Sequence, residues 1–95
     1  MYKVIWSDLS LQRIEEICEH IEIDSVRAAI DFSNKVFAKE DLLKANPKIG
    51  RAVPDHDNKE YRQIIIGNYR LIYKLIGEII LIHTVRHCKR DGITE

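Results

Sequence analysis

Ninety-five residues with 45% hydrophobic side chains suit a single domain, 1–95, with one modest core. A charged fraction of 32%, and no apolar run near the roughly 18–20 residues a membrane helix needs, argue against a chain that crosses a membrane by helices. Fifteen Lys/Arg balance fifteen Asp/Glu, so the net charge is zero and only the distribution of charge can point to a partner.

The first residues, M-Y-K-V-I-W-S-D, lack the long apolar segment of a secretory signal, and a cytoplasmic location is expected. Val4, Ile5 and Trp6 mark a strand over 2–6. Ser7 is a good N-cap, because its hydroxyl can accept a free N–H of the first helical turn. Leu11, Ile14, Cys18 and Ile21 then recur at steps of three and four, which predicts an amphipathic helix over 8–22. Asp24-Ser25 breaks that pattern and caps a second helix over 25–45, which Asn46-Pro47 ends. Two helices with so short a link should form an antiparallel hairpin. Residues 47–58, with two prolines, one glycine and several Asx residues, read as a loop.

Residues 59–90 carry three runs of Ile, Leu, Val and Tyr, separated by Gly67-Asn68 and Gly77-Glu78. Glycine at the first central position takes the positive φ of a type II′ turn, so the runs form a three-stranded antiparallel meander over 60–66, 69–76 and 79–87. The first strand must join it to bury its apolar face. The expected fold is α+β in the order β-α-α-β-β-β: a four-stranded antiparallel sheet with the helix hairpin packed on one face.

The turns set a register, and the register sets faces. Ile64, Ile66, Leu71, Tyr73, Leu75, Ile80 and Ile82 share the face assigned to the helices. The open face receives Gln63, Arg70, Lys74, His83 and His87 among Ile65, Ile72, Ile79, Leu81 and Val85, with no aromatic clearly placed on it. In this register Ile72 opposes His83 and Arg70 opposes Val85. Residues 59–90 hold seven Lys/Arg against two Glu, a net of +5, and the rest of the chain sums to −5. A basic sheet beside acidic helices fits an anionic partner. Cys18 and Cys88 lack C-x-x-C partners and read as free thiols, and His83, His87 and Cys88 do not complete a zinc set. No metal and no cofactor are expected.

Four fragments in this order resemble the RelE/ParE superfamily of bacterial toxins: V-I-W-S-D-L-S-L-Q-R-I, N-P-K-I-G-R-A-V-P, Y-R-Q-I-I-I-G-N-Y-R-L-I-Y-K and I-I-L-I-H-T-V-R-H-C-K-R. The resemblance spans nearly the whole chain. It implies a toxin encoded beside a cognate antitoxin, with the same element order. RelE-like members cut messenger RNA on the ribosome, and ParE-like members inhibit DNA gyrase. The sheet arginine of the superfamily falls on Arg70. RelE ribonucleases carry lysines on the preceding strand, where this chain has Tyr61 and Gln63. The ending V-R-H-C-K-R, with Val85, His87 and Arg90, resembles the ParE-like ending. The resemblance therefore implies a ParE-like gyrase inhibitor, with Arg62, Arg70, Lys74, His87, Lys89 and Arg90 as residues that bind target or antitoxin. The alternative is a metal-independent ribonuclease in which Arg70, His87 and Arg90 act on the message. A third possibility is an inactive member that serves as a binding module.

Overall fold

A computed structural model of the chain describes residues 1–53 and 60–88. Its order is β1 (Lys3–Trp6), α1 (Asp8–Glu22), α2 (Val26–Ala45), β2 (Arg51–Ala52), β3 (Tyr61–Ile66), β4 (Tyr69–Ile76) and β5 (Ile79–His87). The α+β class, both helices and the meander agree with the sequence reading.

Both helices begin where their caps lie. Ser7 Oγ accepts the Ser10 N–H at 3.0 Å, and Ser25 Oγ accepts the Ala28 N–H at 3.1 Å. Each bond satisfies a first-turn donor that has no partner inside the helix. The apolar stripes of the helices meet the sheet. Ile14, Phe32, Val36 and Leu43 form one core with Ile66, Leu71, Tyr73, Ile80, Ile82 and Val85. Trp6 lies beside Phe37 at 4.9 Å, and its indole N–H donates to Glu40 Oε1 at 2.8 Å. That bond, with a smaller contribution from Lys44, holds the Glu40 carboxyl below its ordinary value of 4.5. A lowered carboxyl contributes stability above its unfolded pKa and loses it as pH falls through the folded one. Trp6→Phe should therefore cost stability at pH 7, and the gap from wild type should narrow in melts run progressively below about 4.5. A constant gap would rule out the linkage.

The sheet departs from expectation in three places. It has five strands rather than four, in the order β1-β5-β4-β3-β2. The additional strand, Arg51–Ala52, lies in the segment read as a loop, and it pairs antiparallel with β3 through Arg51↔Gln63 and Ala52↔Arg62. Two residues between prolines carry too little periodicity to read as a strand.

The sheet is also mixed rather than antiparallel, since β1 runs parallel to β5, with Lys3↔Ile79 and Trp6↔Ile82 in register. No tight turn joins β1 to β5, so nothing local dictates its direction, and parallel pairing needs only a long crossover. Trp6 leads through Ser7 straight into α1, which packs along the outer part of β5. The strand must point the same way.

The third departure is a bulge. Both hairpins begin in the expected register, Ile66↔Tyr69 and Ile76↔Ile79. Gly67 and Gly77 have φ of 60° and 59°, and among the described residues no other type has positive φ, the pattern of type II′ turns. Between β4 and β5, however, Tyr73 pairs with Ile82 whereas Ile72 pairs with Thr84, leaving His83 as the additional residue. Arg70 consequently opposes Arg86 rather than Val85, and Tyr69 opposes His87. Beyond the bulge every side chain of β5 changes face. The carbonyl of His83 accepts the Ser7 hydroxyl at 2.8 Å, so the serine that caps α1 also fastens the bulge.

Candidate functional site

The two faces of the sheet differ in chemistry. On the face away from the helices, strand alternation places Arg51 from β2, Tyr61, Gln63 and Ile65 from β3, Arg70, Ile72 and Lys74 from β4, and Leu81, Thr84 and Arg86 from β5. The ring of His83 joins them, 5.3 Å from that of Tyr61 at an interplanar angle of 52°. Lys74 Nζ lies 5.2 Å from the centre of the Tyr61 ring. Arg70 is 7% exposed and donates from Nη1 to Gln63 Oε1 at 3.3 Å. It pairs across the sheet with Arg86. No Asp or Glu stands at these described strand positions. The face therefore presents cations around an aromatic pair.

The expected site residues fall in different places. Arg70 and Lys74 lie on the open face. His87, expected beside them, lies on the helix side, because the bulge shifts it by one position. Its ring meets that of Tyr69 edge-on at 5.1 Å, and Tyr69 in turn meets Phe32 at 5.0 Å. Val85 is buried on the same side for the same reason. Around His87, a cleft of about 370 Å³ runs between α1 and β5, lined by Arg13, Glu16, Ile17, His20 and Tyr69, and Arg86 near the end of β5 also borders it. Arg62 faces neither the open surface nor this cleft. Its Nη1 donates to the carbonyls of Gly50 at 2.8 Å and Lys48 at 3.2 Å, so its guanidinium ties the loop after α2 to β3. Lys89 and Arg90 lie outside the described residues, as do 54–58 of the expected loop.

Three residues of the open face were not among the site residues expected from the sequence. Tyr61 was legible, since the register that sets Arg62 against Tyr73 also sets Tyr61 against Lys74. Arg86 was not, because no glycine or proline between 79 and 88 announces the bulge. Arg51 depends on a two-residue strand.

The loop that delivers Arg51 is held from inside the fold. The fully buried Tyr73 donates its hydroxyl to the Pro47 carbonyl at 2.8 Å and accepts the Gly50 N–H at 2.8 Å. Burial pushes that hydroxyl above its ordinary value, while the Gly50 N–H and the Arg62 charge pull in the opposite direction. Burial and the nearby Glu22 likewise raise the Cys18 thiol. Cys18 and Cys88 are both free. Among the described residues no group of three His, Cys, Asp or Glu could hold a metal, and no helix is long and apolar enough to cross a membrane.

Solved structures share this architecture. A chain of the chromosomal ParDE toxin–antitoxin system from P. aeruginosa superposes with a TM-score of 0.78 at 13% identity, covering 94% of this chain and 98% of that one. YafQ from E. coli strain BL21(DE3) superposes at 0.62 with 17% identity, over the full length of both chains. The toxin–antitoxin complex RelBE2 from Mycobacterium tuberculosis contains a chain that superposes at 0.58 with 19% identity, covering 90% of this chain and 96% of that one. At such identities the likeness shows the fold alone. No curated protein matches the chain. Residues 4–92, however, match the family model described as the ParE toxin of the type II toxin–antitoxin system parDE. With that match over nearly its whole length, the chain belongs to the ParE toxin family within the RelE/ParE superfamily.

Proposed function

We propose that this ParE-family toxin arrests growth by binding DNA gyrase through its open sheet face, and that a cognate antitoxin neutralises it. The observation that carries the reading is the separation of Arg70 from His87. A ribonuclease built on these two residues needs both at one phosphate, one to stabilise developing charge and one to move a proton. Here they project from opposite faces of the sheet. Tyr61 and Gln63, in place of lysines on β3, support the same reading. So does the family match, and the toxin–antitoxin systems among the structural relatives support an antitoxin partner. Both partners act in the cytoplasm on this reading.

A second reading rests on His83, which stands on the open face with Tyr61 and Lys74. In a ribosome-dependent ribonuclease His83, rather than His87, would be the proton-transfer group. Purified toxin separates the two. The gyrase reading expects inhibited supercoiling and intact ribosome-bound message. Codon-linked cleavage in a toe-printing assay, with supercoiling unaffected, would replace it with the ribonuclease. The antitoxin should lay acidic side chains against Lys74 and Arg86, so reversing both charges should weaken the complex at low salt. Unchanged affinity would remove the electrostatic part of the proposal.

A further inference from the structure

We propose that Ser7 is a positioning residue for the open face: its hydroxyl holds the bulge of β5, and the bulge decides which side chains at the end of that strand reach the face. The functional consequence rests on the reading of the open face given above; the effect on the register of β5 does not.

Ser7 closes the bulge with two groups. Its backbone N–H donates to the Ile82 carbonyl at 3.1 Å, and its hydroxyl donates to the carbonyl of the next residue, His83, at 2.8 Å. In a regular strand successive carbonyls turn to opposite neighbours, so a single flanking residue does not take both. At the bulge the additional residue has left the ladder with β4, and its carbonyl needs another partner. Ser7 supplies it. The same oxygen accepts the Ser10 N–H at 3.0 Å. One hydroxyl thus donates into the sheet and accepts from α1.

The alternative is the regular register that the turn at Gly77 begins. Continued past Tyr73↔Ile82, it would set Thr84 against Leu71, Val85 against Arg70 and Arg86 against Tyr69. Val85 and His87 would then stand on the open face, and Arg86 on the helix side. Keeping Val85 in the core, where it is 1% exposed, favours the bulge by up to about 150-fold. A carbonyl left without a partner weighs about 5- to 150-fold against it. The two effects are of similar size, so the bond from Ser7 tips the balance.

Substitutions at Ser7 separate its two bonds. Aspartate caps a helix as an acceptor but has no proton to donate, and it sets a carboxylate against the His83 carbonyl. Threonine does both. NMR on the free full chain reads the register through the contact between the rings of Tyr69 and His87, 5.1 Å apart in the bulged form. Wild type and Ser7→Thr should show that contact. Ser7→Asp should lose it while circular dichroism reports the same helix content. Should Ser7→Asp fail to fold, Ser7→Ala is compared with Ser25→Ala. Both remove an N-cap, and only the first removes the bond to the bulge.

In a supercoiling assay Ser7→Asp should need at least about fivefold more protein than wild type for the same inhibition, and Ser7→Thr should not. Added to Arg86→Ala, Ser7→Asp should cost less than it does alone, because the side chain it displaces is already gone. A general weakening of the fold would add in full. A ring contact unchanged in Ser7→Asp, equal contacts in the two alanine variants, or full additivity with Arg86→Ala would each overturn the proposal. Wild-type protein that leaves gyrase unaffected would overturn the target reading instead, and the ring contact would still decide whether Ser7 sets the register.

Discussion

Exchanging Lys74 and Arg86 together for glutamate should abolish growth arrest on induced expression, while His87→Gln should leave it nearly intact. The double exchange changes the charge of the open face by four, and juxtaposed like charges at an interface cost several kcal/mol. That is several powers of ten in affinity for any acidic or nucleic-acid surface. Both side chains are partly exposed at the sheet surface, so the variant should retain its melting transition, which circular dichroism would check. His87→Gln removes the imidazole's capacity for proton transfer but preserves size and some hydrogen bonding. His87 packs against Tyr69 on the other face. A ribonuclease that used this histidine for proton transfer would lose about 10²–10⁴-fold in rate. Arrest that survives the double exchange in a folded protein would remove the open face from the mechanism. Arrest that disappears with His87→Gln would move the active surface to the α1–β5 cleft.

Removing the hydroxyl of Tyr73 should lower the melting temperature by about 4–24 °C. Tyr73→Phe leaves a buried Gly50 N–H and the Pro47 carbonyl without their partner, at a cost of about 1–3 kcal/mol. A domain of this size has a total stability of about 5–14 kcal/mol, and each kcal/mol shifts its midpoint by about 4–8 °C. Gly50→Ala attacks the same latch from the other side. A Cβ there would lie 2.7 Å from the Tyr73 ring and hydroxyl and 2.9 Å from the Gln63 carbonyl. The tyrosine is locked in the core and the carbonyl belongs to β3, so neither yields cheaply, and overpacking of this kind costs about 1–3 kcal/mol. The two changes share one contact, so the double variant should lose less than the sum. Because the latch positions the loop leading to Arg51 and the carbonyls that hold Arg62, both variants should also weaken function on the open face. An unchanged midpoint for Tyr73→Phe would show that the loop is held by other contacts.

The sequence by itself determined the helices and the meander, because their signals act within a few residues. Ser7 and Ser25 mark the helix starts through hydroxyls that accept an N–H of the first turn, and Pro47 ends the second helix through its clash with the residue before it. Gly67 and Gly77 set the hairpins because few other residues tolerate their φ, and each turn fixes the register of its nearest pairs. That reasoning correctly placed Arg70 and Lys74 together on the open face. Tertiary structure decided what no turn connects. The direction of β1 follows from where α1 must pack, and β2 exists because β3 offers an edge to two residues with little strand character of their own. The bulge at His83 is tied to Ser7, 76 residues away in sequence. It moved His87 to the helix side and brought Arg86 to the open face. A one-residue shift inverts a strand, and the contact that fastens this one lies beyond the reach of any local pattern.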